Sequence, residues 1–198
     1  LQWLGSPRWS RHHDRMASMS ALVSAGGRVF YVMDEGSRVS IQLPARWTLV
    51  ARDAFNGVIL WKKPMKKWHS HLWPLKSGPT QLARRLVAMK GRVYITLGVD
   101  EPVSVLDAAT GELIHELPGS KGAEEVIVEG GQVFVLESPE EWELNSFLPF
   151  HNTGDQARIR RDFAWNKKKR DVKAYDSVTG KRIWGHNSKV APLTMTAD

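Results

Sequence analysis

The sequence predicts an all-β fold of β-propeller blades, each with four antiparallel strands. Two observations support this prediction, and both recur three times in the 198 residues. First, an apolar run breaks at a small glycine turn and then resumes, at 25–27, 89–91 and 129–131. Second, a later run ends in an Asp-x-x-x-Gly step, at 53–57, 107–111 and 176–180. Regular repetition of four short strands is typical of propeller blades.

The residues in these two turns suit the joining of antiparallel strands. In the first turn, glycine supplies the positive φ that a tight hairpin needs. In the second, the Asp carboxylate can accept backbone N–H bonds while the glycine takes the left-handed position, so Asp53, Asp107 and Asp176 are predicted to form turns. A β-sandwich or an open meander is the alternative fold. Neither is expected to repeat the same two turns in the same order three times.

The repeats divide the chain into blades and connections. Blades are predicted at about 20–61, 84–117 and 124–185, after a connector at 1–19. Residues 186–198 are predicted to start a fourth blade with its first strand. Closed propellers usually have at least four blades, so we expect a partial propeller that is a piece of a larger ring.

Composition limits the class of protein. The chain is 42% hydrophobic and 25% charged, as is usual for a soluble globular protein. No run reaches the ~18–20 apolar residues of a membrane span. The absence of cysteine excludes disulfides, thiolate metal sites and a cysteine nucleophile. The net charge of +7 is compatible with an anionic partner, but solvated surface charge is the favoured interpretation.

The third repeat ends in Ala-Tyr-Asp-Ser-Val-Thr-Gly-Lys-Arg-Ile-Trp, residues 174–184. This pattern resembles the repeat of the PQQ-like (quinoprotein alcohol dehydrogenase-like) β-propellers, a superfamily that also includes an outer-membrane assembly lipoprotein. In such propellers the tryptophan packs between neighbouring blades. His115 takes that position in the second repeat and is therefore expected to be a packing substitute. The resemblance also implies an extracytoplasmic, periplasmic location.

The connections of the predicted blades differ between the two faces of the ring. The turns within strand pairs are short, whereas every long insertion belongs to the opposite face, at 1–19, 34–47, 62–85 and 138–171. Binding residues concentrate on long loops held by a rigid scaffold. We therefore expect one shared surface or pocket mouth lined by Arg11, His12, His13, His69, His71, His151, Asp155 and Arg158.

These loops favour a binding module that presents His-, Arg- and Trp-rich loops to a protein or a small polar ligand, with the remaining blades of the propeller as further partners. The alternative, which the resemblance implies, is part of a quinoprotein oxidoreductase with PQQ and calcium. Asp155 and Asn152 could then supply a base and a calcium ligand, although their spacing does not show it. Many such enzymes also use an adjacent-cysteine disulfide, which this sequence lacks. Catalytic residues, cofactor and enzymatic activity therefore stay open.

The basic connector at 62–85 is compatible with two other chemistries. His69 and His71 are weak candidates for a metal site, since they could ligate jointly but have no acidic neighbour in the connector to orient them. Trp68 and Trp73 could stack nucleic-acid bases between phosphate contacts. A solvated loop whose tryptophans pack on the next blade explains the same residues, so nucleic acid is the less favoured partner.

Overall fold

The computed structural model of the chain describes residues 3, 19–37, 43–68, 80–138, 168–191 and 193–197. Within these ranges it forms three sheets of four antiparallel strands. The first blade contains β1 (Met19–Ala25), β2 (Arg28–Asp34), β3 (Trp47–Asp53) and β4 (Ile59–Pro64). The second contains β5 (Leu86–Met89), β6 (Arg92–Thr96), β7 (Val103–Asp107) and β8 (Leu113–Glu116). The third contains β9 (Ala123–Glu129), β10 (Gln132–Glu137), β11 (Arg170–Asp176) and β12 (Arg182–Ser188).

The three sheets are arranged as adjacent blades of a propeller. Strands follow one another in chain order within each sheet. The first strands lie side by side, with β1 against β5 and β5 against β9, whereas the fourth strands are largely exposed. First strands are therefore innermost and fourth strands outermost. This arrangement confirms the all-β fold and the partial propeller.

The core lies between blades. Phe30, Leu49 and Leu106 are fully buried in one cluster between the first and second blades. Val105 and Val133 are fully buried in a second cluster, between the second and third blades. Each such side chain contributes roughly 1.5–3 kcal/mol when buried. Because these clusters join neighbouring sheets, packing between blades stabilises the fold.

The start of the 62–85 connector is part of this core. Trp68 is completely buried, and its Nε1 donates a hydrogen bond to Ser20 Oγ at 2.7 Å. Its indole therefore has no free face on which a base could stack, which removes one of the two aromatic groups of the nucleic-acid alternative. The connector ends in a 3₁₀ helix, Thr80–Arg85, that packs against β9 and β1 before β5 begins.

No strand follows β12 among the described residues 189–191 and 193–197. A first strand is recognised by its hydrogen bonds to the second strand of its own blade. The start of a fourth blade at 186–198 therefore stays a prediction. Within the described part of the chain, no helix has the length and apolar character needed to cross a membrane.

Candidate functional site

Each blade has a turn end, where the two short turns lie, and a loop end, where its longer connections attach. At the turn end the two turns are bonded to each other. The residue after the turn Asp donates its N–H to the carbonyl of the last glycine of the other turn in all three blades. These bonds, each 2.9 Å long, are Ala54 to Gly27, Ala108 to Gly91, and Ser177 to Gly131.

The turn aspartates are occupied by their own backbone. Asp107 Oδ1 accepts the N–H groups of Ala109 at 2.8 Å and Thr110 at 2.9 Å. These bonds lower the pKa of Asp107, since they favour the ionised carboxylate. Asp176 accepts equivalent bonds from Val178 and Thr179, and its pKa is lowered in the same way. The geometry is that of turn formers.

Neighbouring blades meet through a contact that we call a joint: an aromatic side chain from the outer strand of one blade against the turn glycine of the next. Trp61 covers Gly111 so closely that a Cβ there would lie 2.7 Å from the indole. Its Nε1 also donates to Ala108 O at 3.2 Å. Trp3 occupies the equivalent place on the first blade, against Gly57 and with Nε1 donating to Ala54 O at 2.9 Å.

The joint between the second and third blades differs. His115 packs against Gly180 so closely that a Cβ there would overlap the imidazole, as expected of a packing substitute for tryptophan. The Ser177 carbonyl, equivalent to the two indole acceptors, is instead bonded by Arg92 Nη1. Burial and the nearby Arg92 lower the pKa of His115.

The loop end contains buried charge. Glu124 and Arg170 are 3% and 1% exposed and form an ion pair between the starts of β9 and β11. Arg85, the last residue of the 3₁₀ helix before β5, is fully buried and donates to Val99 O at 2.8 Å. Burial lowers the pKa of Arg85 to about 10, although Glu124 and Asp100 oppose the shift.

Glu125 extends this cluster to another segment of the chain. It is completely buried, with Arg84 Nη1 3.7 Å from its Oε1. Its Oε2 accepts the Leu193 N–H at 3.1 Å. Burial raises the pKa of Glu125, because the loss of water disfavours the charged form more than Arg84 stabilises it. One carboxylate thus links the second blade, the third blade and the segment after β12.

The predicted site residues lie outside the described residues. They are Arg11, His12, His13, His69, His71, His151, Asp155 and Arg158. The described anchors of two of the loops that carry them lie at the loop end: Arg85, where the 62–85 connector enters β5, and Glu137 and Arg170, which flank the 138–171 loop. A shared surface for the eight residues stays a prediction.

Sequence reasoning did not single out the buried charges. A usable signal was present: Arg84 and Arg85 stand directly before the apolar start of β5, and Glu124 and Glu125 before the Val-Ile-Val run of β9. Charged pairs that enter an apolar inner strand must be either solvated or paired. Here Glu124 pairs with Arg170 within the third blade, and Glu125 lies beside Arg84 from the segment before β5.

The described residues contain no group of three His or acidic side chains placed to hold a metal ion. The buried carboxylates do not fit a calcium site, because Glu124 is bound by Arg170, and Glu125 accepts a backbone N–H beside Arg84. No chemistry of a quinone–calcium centre is therefore derived from them. The candidate metal residues His69 and His71 are outside the described ranges.

The face of the third blade that points away from the second blade is apolar and open. A groove of about 620 Å³ runs between Trp184, Phe134 and the segment around Met195. The ring centroids of Phe134 and Trp184 are 6.1 Å apart, close to the 5.9 Å between Phe30 and Trp61 in the first blade. Trp184 is 43% exposed. The third blade thus presents the same aromatic pair that the first blade buries against its neighbour.

Residues 45–197 match the family described as outer membrane protein assembly factor BamB. No curated protein sequence matches the chain significantly. Among solved structures, a europium-containing methanol dehydrogenase overlaps 91% of this chain at 15% identity, with a TM-score of 0.50. The quinohemoprotein alcohol dehydrogenase of Comamonas testosteroni overlaps 90% at 17% identity, also with a TM-score of 0.50.

These matches cover only part of each solved protein. The chain spans 26% of the methanol dehydrogenase and 22% of the quinohemoprotein alcohol dehydrogenase. BamB from Moraxella catarrhalis is matched over 85% of this chain and 51% of its own, at 14% identity and a TM-score of 0.34. At such identities, the overlap with the two dehydrogenases is evidence of fold.

Proposed function

Because the chain belongs to the outer membrane protein assembly factor BamB family of PQQ-like β-propellers, we propose that it is a binding module that contacts a protein of the cell envelope through its loop end. The family is named for the assembly of outer-membrane proteins, which supports a protein partner and an extracytoplasmic location. In this proposal the propeller is a rigid scaffold. The long loops, including the eight predicted residues, make the contact.

One observation carries the proposal: the two ends of the blades differ in how their polar groups are used. At the turn end, the turn backbones bond to each other and the aspartates cap their own turns. Few polar groups of the turns therefore stay available to recognise a specific partner. At the loop end, the buried Glu124–Arg170 pair and the contact between Arg84 and the buried Glu125 anchor the strands from which the long connections leave. Rigid anchoring of variable loops is the usual arrangement for recognition.

The remaining blades of the propeller are proposed as a second class of partner, at the face of the third blade that points away from the second. Trp61 and Trp3 each cover a turn glycine and donate to a turn carbonyl. Trp184 has the same place in its blade and is half-exposed beside an apolar groove. A further blade with an Asp-x-x-x-Gly turn would satisfy the Trp184 indole in the same way.

Site-specific photo-crosslinking in the source cells tests the protein-binding proposal. A photoreactive residue is placed at His71 or Arg158 in the loops, and in matched variants at the exposed turn-end residues Glu112 or Lys181. We expect adducts with an envelope protein, identified by mass spectrometry, from the loop positions only. Equal adducts from both ends would contradict the proposal.

The quinoprotein alternative is tested separately. PQQ and calcium are added to the full-length protein, and dye-linked alcohol oxidation is measured. Turnover that depends on both additions would overturn the proposal of a non-catalytic binding module, and its absence is the expected result.

A further inference from the structure

The joint between the second and third blades contains a titratable group where the other two joints contain tryptophan. Trp3 and Trp61 each combine a close contact with a turn glycine and an indole hydrogen bond to a turn carbonyl. His115 makes the first contact only. Its Nε2 is buried and has no hydrogen-bond partner within the described part of the chain.

The space around this imidazole is unsuited to a positive charge. A Cβ at Gly180 would lie 2.7 Å from His115 Nε2, so there is no room for a water molecule on that side. The Arg92 guanidinium, on β6, donates to the Ser177 carbonyl. Tyr94, on the same strand, forms hydrogen bonds with the Arg92 and Ser177 side chains.

A negative charge lies near His115, but that carboxylate is already hydrogen-bonded to its own turn. From the third blade, Asp176 attracts a protonated His115, yet its carboxylate already accepts the Val178 and Thr179 N–H groups and the Thr179 hydroxyl. Burial and Arg92 outweigh this attraction, and the pKa of His115 is lowered. The closed joint thus favours the neutral imidazole over the protonated one.

We propose that the joint between the second and third blades is an acid-sensitive hinge, which opens as His115 gains a proton, while the joint at Trp61 is insensitive to pH. Opening separates the Gly180 turn from β8 and loosens the third blade relative to the second. The two clusters of the core then respond differently to acid, although the blades are built from the same repeat.

The linkage between proton binding and joint opening sets the direction of the pH dependence. In the open joint, His115 has an ordinary pKa of about 6.5, whereas in the closed joint its pKa is lower. Above pH 6.5 both states are neutral and the joint is fully stable. As the pH falls below 6.5, the open state takes up the proton first, so stability is lost until the pH passes the closed-state pKa. At pH 5.5 the open state gains up to about tenfold in population.

Hydrogen exchange at pH 7.5 and 5.5, corrected for intrinsic rates and read by mass spectrometry, tests the hinge in the whole chain. In the wild type, protection of residues 176–184 should fall by up to about tenfold at pH 5.5. His115→Trp should abolish this loss, because an indole cannot be protonated. Trp61→His should create an equivalent loss at residues 107–115.

Two further variants keep the test decisive. His115→Gln has a neutral side chain and preserves the fold if the larger indole does not fit; it too should be insensitive to this change of pH. His186→Gln removes an exposed histidine from β12 and should behave like the wild type. Equal acid sensitivity in His115→Gln and the wild type would overturn the proposal, as would loss of the response in His186→Gln.

Discussion

At the turn end, backbone groups bond to backbone groups in the same way in all three blades, whereas at the loop end charged side chains form pairs, one within the third blade and one between the second and third blades. The three turn bonds are all 2.9 Å long and need only an Asp and two glycine turns. The loop-end pairs, Glu124 with Arg170 and Glu125 with Arg84, have no counterpart at the turn end among the residues that the structure describes. A repeat can be copied where the backbone supplies the bonds, and it diverges where side chains supply them.

The largest effect is expected from breaking the buried ion pair at the loop end. Arg170→Met leaves the Glu124 carboxylate buried without its cation, which should cost about 3–5 kcal/mol of unfolding free energy. Glu124→Leu should cost a similar amount by isolating Arg170. Urea unfolding at pH 7 measures both.

The double variant Glu124→Leu/Arg170→Met is the control for charge burial. It removes both ions, so it should be more stable than either single variant. If the double variant instead lost the sum of the two single losses, the pair would act through packing rather than charge, and the contrast between the two ends would weaken.

At the turn end, two glycines have the same backbone conformation but different surroundings. Replacing each with alanine separates the cost of backbone strain from the cost of a clash with Trp61. Gly111 and Gly91 have φ values of +74° and +76°. A Cβ at Gly111 would meet the Trp61 indole at 2.7 Å, whereas a Cβ at Gly91 would have nothing within 4 Å. Gly91→Ala should therefore cost about 1 kcal/mol, for left-handed backbone strain alone. Gly111→Ala should cost about 2–4 kcal/mol, because the blades must also move apart.

Urea unfolding of the two alanine variants gives this difference directly. Equal losses of unfolding free energy would mean that the Trp61 joint accommodates the added methyl group without destabilisation. The regularity of the turn end would then reflect the residues of the turns only. A larger loss for Gly111→Ala would assign the excess to the joint between the first two blades.

The fold was predictable because its signals are local. A glycine turn and an Asp-x-x-x-Gly step act within a few residues, so their recurrence identified the strand pairs, and Gly57, Gly111 and Gly180 all have positive φ. The role of His115 followed from its place in the repeat. The buried charge was not predicted, since whether Glu125 is solvated or buried depends on Arg84 and Leu193, which reach it only in the folded chain.

The smallest expected effect, at the loop end, concerns the charge of Glu125. Burial raises the pKa of Glu125 above its ordinary value of about 4.3. At low pH the carboxyl is protonated in both states and carries no penalty. As the pH rises through 4.3, the unfolded chain ionises first, so Glu125 opposes folding, and this penalty is complete above the folded-state pKa.

Glu125→Gln keeps an acceptor for the Leu193 N–H and removes the buried charge. The variant should match the wild type at pH 3.5 and exceed its stability at pH 7 by up to about 1 kcal/mol. The measurement is urea unfolding across that range, with the exposed Glu129→Gln on the same strand as the control. A variant that is less stable than the wild type at pH 7 would mean that attraction to Arg84 outweighs the cost of burial. The charge of Glu125 would then stabilise the loop end rather than destabilise it.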